Sequence, residues 1–215
     1  MSAMAGHFLT IEGIEGVGKT TQVARLSRAL RERGIDHVVT REPGGTPLAE
    51  KIRDIVLNNV GGESLPATAE LLLMIAGRAV HLANHVEPNL RAGRWVVCDR
   101  FTDATYAYQG GGRRLTMDII RQLEVMVQGT RRPDLTLWLD APVEQALKRA
   151  RERNPGGATD RFESERAEFF ERVREVYRAR AAAEPNRIHV IDAAQSADAV
   201  TAHMLRALEK GSWIT

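Results

Sequence analysis

The sequence predicts an α/β fold in which a five-stranded parallel sheet carries helices on both faces. Five short apolar runs have the length and composition of strands, and helical patterns separate each run from the next. Nearly continuous apolar character, as in Thr136-Leu137-Trp138-Leu139, indicates strands that are buried on both sides. The predicted strands cover residues 8–11, 37–40, 95–98, 135–139 and 188–191.

The first strand leads into a glycine-rich stretch, Gly13-Ile14-Glu15-Gly16-Val17-Gly18-Lys19-Thr20, which fits the phosphate-binding pattern G-x-x-x-x-G-K-[ST]. A helical pattern at 22–31 follows it, so the strand, loop and helix come in the order that this motif requires. Backbone N–H groups of such a loop bind phosphate oxygens at the positive end of the helix. We expect all eight residues to bind a nucleotide, with Lys19 on its β- and γ-phosphates and Thr20 on Mg²⁺.

The remaining helices have recognisable ends. Gly34 stops the first helix, Pro47 suits the first turn of the second, and Thr116 and Ser164 can cap later helices. The predicted helices run from the glycine loop to residue 33 and over 48–57, 67–83, 88–93, 117–127, 143–153, 164–180 and 198–208. A further helix is predicted after the third strand, running into residues 106–113.

Charged residues follow the strands at their carboxyl ends, where open α/β sheets bind ligands. Arg41-Glu42-Pro43 follows the second strand, and Asp99-Arg100 follows the third. Arg100 can fork onto a second phosphate, and Asp99 can hold Mg²⁺ through water. A local ion pair between these two residues is the alternative interpretation. Asp140 follows the fourth strand, where a helix cap and an active-site role are equally supported.

The bulk composition fits one globular domain covering residues 1–215. Hydrophobic residues make up 43% of the chain and charged residues 27%, and the net charge of +2 does not indicate a nucleic-acid partner. The single cysteine, Cys98, excludes an internal disulfide framework, and its apolar neighbours favour a buried core position. We find neither a signal peptide nor an apolar run long enough to span a bilayer, so a cytoplasmic location is expected.

Together the motifs resemble those of the thymidylate kinase family over residues 8–192. They comprise the acidic residue within the glycine loop, Thr-Arg-Glu-Pro-Gly-Gly-Thr at 40–46, Asp-Arg-Phe at 99–101, Tyr-Gln-Gly-Gly-Gly-Arg at 108–113 and Arg-Pro-Asp-Leu-Thr-Leu at 132–137. The chain is most similar to bacterial members, in which the loop lacks an arginine and a lid supplies it. The resemblance implies a P-loop NTPase fold of the nucleoside monophosphate kinase type. It also implies Mg²⁺-dependent transfer of the ATP γ-phosphate to dTMP in dTTP biosynthesis, by a homodimer built through helices.

The resemblance assigns residues to the phosphate and sugar of dTMP. Arg100 matches the arginine on the dTMP phosphate, with Asp99 beside it near Mg²⁺. The segment Arg41-Glu42-Pro43 lies close to the same phosphate. Glu15 matches the acid that contacts the deoxyribose 3′-hydroxyl, although a loop acid can also bond its own backbone.

The base side of the site is also implied by the resemblance. Arg78 and Thr105 match residues that contact thymine, and Gln109 lies on the same wall. Met74 occupies the position where the family usually has an aromatic residue that stacks on thymine. A thioether still makes favourable contact with a π-face.

Residues 149–163 are predicted to form a mobile lid, with a plain loop between two salt-bridged helices as the alternative. Asn-Pro-Gly-Gly-Ala-Thr at 154–159 interrupts two helices dense in charge, and a Gly/Pro-rich joint beside arginines is typical of a closing lid. By resemblance, Arg153 neutralises charge on the migrating phosphoryl group, with Arg149 and Arg161 as alternatives. The joint is longer than is usual in the family. From the fold, we expect adenine to lie near residues 192–195.

Three other functions are alternatives to phosphorylation of dTMP. Another nucleoside or nucleotide kinase, acting on dUMP, CMP or a nucleoside, is the alternative among enzymes, although Arg100 favours a monophosphate acceptor. A GTPase-type switch requires Asn-Lys-x-Asp and Asp-x-x-Gly, and neither pattern occurs in the sequence. A nucleic-acid-dependent ATPase is disfavoured because the charge is nearly balanced and aromatic residues make up only 5% of the chain.

Overall fold

The computed structural model describes residues 6–58, 62–153, 161–211 and 213–214. Within them, five strands form one parallel sheet in the order β2-β3-β1-β4-β5, which confirms the predicted architecture. The whole of the predicted lid joint, residues 154–159, lies outside the described residues. The strands are β1 (Phe8–Glu12), β2 (His37–Arg41), β3 (Trp95–Asp99), β4 (Leu135–Asp140) and β5 (Ile188–Asp192).

Each strand ends one residue later than predicted, and every added residue is charged. An apolar pattern stops before the first charged residue, whereas backbone pairing includes that residue. Arg41 pairs in register with Asp99, and Asp140 pairs with Asp192. The carboxyl edge of the sheet therefore carries charged side chains on residues whose backbones are fixed by the sheet.

Apolar side chains cover both faces of the sheet, because successive residues of a strand point to opposite sides. Leu9 and Ile11 of β1 pack into the larger core cluster. Phe8 packs on the other face with Leu82 and Val86. Cys98 belongs to the second cluster and is fully buried, as predicted.

Nine helices occur in the described part of the chain, and two π-helical stretches extend them. Leu82–Val86 joins the third helix to the fourth, and Tyr106–Gly112 continues the fifth. The sequence predicted a helix running into the second stretch, but not the π-helical form of either. The helices are α1 (Lys19–Glu32), α2 (Pro47–Leu57), α3 (Ala67–His81), α4 (Glu87–Arg91), α5 (Thr102–Thr105), α6 (Met117–Gln128), α7 (Val143–Arg153), α8 (Ala167–Ala183) and α9 (Ala197–Lys210).

One predicted helix cap was wrong, and a second holds the predicted position without a side-chain hydrogen bond. The helix expected to start at Ser164 begins at Ala167, and the Ser164 hydroxyl instead donates to the Arg161 carbonyl at 2.9 Å. Thr116 precedes α6, but its side chain makes no capping hydrogen bond. Among the residues that the structure describes, no helix has both the length and the apolar character needed to cross a bilayer.

Candidate active site

The loop between β1 and α1 has a backbone that only glycine adopts easily. Gly13, Gly16 and Gly18 have φ values of 139°, 79° and 91°. A Cβ atom on Gly16 would lie 1.8 Å from the carbonyl oxygen of Ala146 in α7. Helix α7 therefore packs directly against the phosphate-binding loop and leaves no room for a side chain at position 16.

Lys19 folds back across this loop. Its Nζ donates to the carbonyl oxygens of Gly13 at 3.0 Å and Ile14 at 3.1 Å. Burial, followed by the nearby positive charge of Arg100, lowers the pKa of Lys19 to about 8. The ammonium group is thus held where an anion in the loop would stabilise its charge.

A cavity of about 200 Å³ lies beside the loop at the carboxyl edge of the sheet. It brings together residues that are far apart in the sequence, including most of those predicted for the site. The predicted residues that line it are Glu15, Gly16, Gly18, Lys19, Thr20, Glu42, Pro43, Met74, Asp99, Arg100, Gln109 and Arg153.

Glu15 and Arg100 form an ordered pair in this cavity. Arg100 Nη2 donates to Glu15 Oε1 at 2.8 Å, and Arg100 Nη1 donates to the Gly13 carbonyl at 2.9 Å. The other oxygen of Glu15 accepts from the Tyr108 hydroxyl at 2.7 Å. Arg100 has a φ of 69°, a left-handed conformation that a non-glycine residue holds at a cost and that often marks a functional site.

Asp99 and Thr20 provide oxygen atoms suited to Mg²⁺. Both line the cavity, and Asp99 Oδ1 is buried without a hydrogen-bond partner among the described residues. The described residues contain no cluster of three or more Asp, Glu, His or Cys side chains that could hold a metal ion. This donor set fits Mg²⁺, which commonly takes one or two protein oxygens and completes its shell with water and substrate phosphates.

The structure places Arg78 and Thr105 within the protein interior. Arg78 donates to Glu42 Oε2 at 2.7 Å, to the Thr105 hydroxyl at 2.9 Å and to the Phe101 carbonyl at 3.0 Å. Both residues are fully or almost fully buried. Their role as thymine contacts stays a prediction.

Glu42 is a buried acid held by two basic side chains. It accepts from Arg78 and from His81 Nδ1, the latter at 2.9 Å. Burial alone raises the pKa of Glu42, but Arg78 and His81 outweigh that effect and hold it below the ordinary value. Arg41 lies farther out, where it pairs with Glu50 at 2.8 Å on the wall of a neighbouring cavity.

The three candidate lid arginines point in different directions. Arg149 donates to the carbonyl oxygens of Ala193 and Ala194 at 2.8 and 3.0 Å, in the loop after β5 where adenine is expected. Arg161 donates to the carbonyls of Val56 and Leu65 and to the carboxylate of Glu70.

Arg153 alone of these three lines the cavity. Its side chain is 60% exposed, and Glu163 lies 3.7 Å away. A long, exposed side chain at the cavity wall can move toward a ligand without breaking buried contacts. The other two arginines would first have to leave carbonyl partners.

Sequence reasoning missed several residues of the cavity wall, among them Arg53, Tyr108 and Phe162. Tyr108 lies within the quoted motif at 108–113, but its partner Glu15 is 93 residues away along the chain. Phe162 packs edge-on against Tyr108.

Asp140, for which a helix cap and an active-site role were both predicted, forms a bidentate ion pair with Arg174 of α8. The two hydrogen bonds from Arg174 measure 2.7 and 3.0 Å.

Comparisons with known proteins agree with this geometry. A family model described as thymidylate kinase matches residues 11–204. A thymidylate kinase of Chromohalobacter salexigens is 55% identical over 210 residues, which cover 97% of this chain and 98% of that protein. A thymidylate kinase of Pseudomonas putida is 55% identical over 197 residues, covering 92% of each chain.

A solved structure gives the same result for the fold. The crystal structure of thymidylate kinase from Ehrlichia chaffeensis superposes with a TM-score of 0.76 at 33% identity, covering 95% of this chain and 99% of that one. The fold is therefore the predicted P-loop NTPase fold of the nucleoside monophosphate kinases. With a family model matched over most of its length and close relatives along nearly all of it, this chain belongs to the thymidylate kinase family.

Proposed function

We propose that the protein transfers the γ-phosphate of ATP to dTMP, giving dTDP. The observation that carries this proposal is the convergence of two cations on one backbone oxygen. Lys19 Nζ and Arg100 Nη1 both donate to the Gly13 carbonyl, at 3.0 and 2.9 Å. Two positive charges this close repel each other, and phosphates on both sides relieve that repulsion.

The two cations divide the phosphates between them. Lys19 binds the β- and γ-phosphates of ATP in the glycine loop, and Arg100 forks onto the phosphate of dTMP. Asp99 and Thr20 would hold Mg²⁺, which supplies further neutralisation of the phosphate charge. Arg153 approaches from α7 and neutralises charge on the group in transfer. Phosphoryl transfer needs positioning and charge compensation more than covalent chemistry from the protein.

The deoxyribose and base of dTMP bind on the side of Arg100 away from Lys19. Glu15, fixed by Arg100 and Tyr108, accepts a hydrogen bond from the 3′-hydroxyl of the deoxyribose. Gln109 Oε1 is buried, without a hydrogen-bond partner among the described residues, and the residue lines the cavity. It accepts from N3–H, the donor on the ring edge of thymine, while Met74 contacts the face of the base.

The donor site, the lid and the assembly complete the proposal. Adenine lies against the loop at 192–195 beside Arg149, and residues 149–163 close over the bound nucleotides. A second copy of the chain covers exposed apolar side chains on α2, α3 and α6, helices that pack in series, and burial of this apolar area favours a homodimer. These are Leu48, Ile55, Leu72, Met117, Ile119, Val125 and Met126.

Measurement of ADP release with different acceptors tests the reaction. Purified protein is given ATP, Mg²⁺ and one of dTMP, dUMP, CMP or thymidine. We expect dTMP to give the highest kcat/KM, because its phosphate meets Arg100 and its base carries the N3–H donor. Faster turnover with CMP or thymidine would show that another nucleoside or nucleotide kinase activity is the correct one. A parallel reaction without Mg²⁺ measures the requirement for the metal.

A further inference from the structure

Glu70 of α3 is a buried carboxylate that no part of the proposed mechanism uses. It is fully buried, and it accepts hydrogen bonds from three side chains, two in the segment 109–113 and one at position 161. Gln109 Nε2 donates to Oε1 at 2.9 Å, and Arg113 Nε lies 3.1 Å from both oxygens. Arg161 Nη2 donates to Oε2 at 3.1 Å. Two guanidinium groups thus fix the carboxylate that Gln109 contacts.

This carboxylate decides which way the Gln109 amide faces. An ionised carboxylate only accepts hydrogen bonds, so the amide must present its NH₂ group to Glu70. The amide oxygen is then left on the other side, where it is buried and lacks a partner among the described residues. A flipped amide would set its oxygen against Glu70 and leave the NH₂ group without this acceptor, which costs the protein a hydrogen bond between buried groups.

The orientation matters because thymine and cytosine differ at ring position 3. Thymine and uracil carry N3–H, a donor, whereas the N3 of neutral cytosine is an acceptor. An amide oxygen at this position pairs with thymine and repels cytosine, and a flipped amide does the reverse. Sites built to meet a specific donor reject analogues that lack it, because a buried polar group is then left unpaired.

We propose that Glu70 is a positioning residue for pyrimidine selectivity: it holds the Gln109 amide with its oxygen toward the base, so that nucleotides with N3–H are accepted and cytosine nucleotides are rejected. This inference rests on the proposed function, since it concerns the base of the same acceptor. Glu70 does not touch the nucleotide and acts through Gln109.

Substitution Glu70→Gln tests the proposal, because a glutamine at position 70 offers either an acceptor or a donor to Gln109. The measurement is kcat/KM for dTMP, dUMP and dCMP with ATP and Mg²⁺. We expect the dCMP-to-dTMP ratio to rise about tenfold over the unsubstituted protein, the size of one hydrogen bond lost and its partner left unpaired. The dUMP-to-dTMP ratio should change by less than about twofold, because both bases carry N3–H.

Two further variants separate amide orientation from general loosening of the cavity. Arg113→Lys changes another partner of Glu70 and leaves the bond to Gln109 intact, so its dCMP-to-dTMP ratio should stay that of the unsubstituted protein. Gln109→Met removes the acceptor itself and should raise that ratio, and it tests the same atom if Glu70→Gln does not fold.

The possible outcomes distinguish the role of Glu70 from the proposed kinase activity. Equal dCMP-to-dTMP ratios in Glu70→Gln and the unsubstituted protein would overturn the inference while dTMP turnover still supports the function. A ratio raised as much by Arg113→Lys, or unchanged in Gln109→Met, would also overturn it. Absence of dTMP turnover in the unsubstituted protein would instead overturn the proposed function.

Discussion

Replacing Arg153 with methionine is expected to lower kcat about a thousandfold and to leave stability unchanged. Arginines that neutralise a phosphoryl group in transfer contribute roughly 10³–10⁵ in rate, and the lower figure corresponds to about 4 kcal/mol of transition-state stabilisation. The free energy of unfolding should stay the same, because the Arg153 side chain is 60% exposed and its ion-pair partner Glu163 lies 3.7 Å away. An exposed pair of this kind is worth less than about 1 kcal/mol.

The other two arginines serve as matched controls. Arg161→Met strips donors from two backbone carbonyls and from the buried Glu70 carboxylate. Breaking a buried charged contact costs about 3 kcal/mol, which in a chain of this size lowers Tm by roughly 6–12 °C. Arg149→Met loses contacts to the loop after β5, so KM for ATP should rise while kcat changes little.

The assay is steady-state kcat at saturating ATP and dTMP, with thermal melting followed by circular dichroism. Under the proposed geometry, the Arg153→Met protein melts like the unsubstituted one but turns over slowly. Arg153 does not have this role if Arg153→Met retains kcat within about tenfold of the unsubstituted protein. The same conclusion follows if kcat of a folded Arg149→Met or Arg161→Met protein falls about a thousandfold instead.

Two further predictions concern the glycine loop. The pKa of Lys19 is held at about 8, so the ammonium form predominates below that pH, and bound phosphates should raise the pKa again. ATP binding near pH 8.5 should therefore be accompanied by uptake of a proton, and the affinity for ATP should fall as the pH rises. Calorimetry in buffers of different ionisation enthalpy measures this uptake, and a result of no uptake would contradict the prediction. Glu15→Ala should lower kcat/KM about tenfold more for dTMP than for its 3′-deoxy analogue, and equal losses would exclude the sugar contact.

The fold could be predicted because its strands and helices leave periodic patterns. Apolar runs located every strand, and only the last residue of each was missed, because a charge such as Asp99 or Asp192 ends the pattern but not the pairing. The π-helical form of the stretch Tyr106–Gly112 was not predicted. A shift of backbone hydrogen bonds by one residue changes the direction of side chains without changing which residue types are present.

The candidate site was predictable to the extent that neighbours in sequence are neighbours in space. The glycine loop is one continuous segment, and its motif specifies Lys19 and Thr20 directly. The partners of Glu15 are Arg100 and Tyr108, which lie 85 and 93 residues away, and no local pattern specifies such contacts. Arg161 is the opposite case. Its place in the charged segment made it a candidate for contact with the transferred phosphate, whereas the structure pairs it with Glu70.

The contact between Gly16 and α7 leaves no space for an arginine at this position of the loop. Any side chain at position 16 would collide with the backbone of α7 at Ala146 and Ala150. Arg153 is the last residue of that same helix. The helix that excludes a side chain at position 16 therefore also carries an arginine to the cavity wall. An arginine at position 16 would require α7 to move.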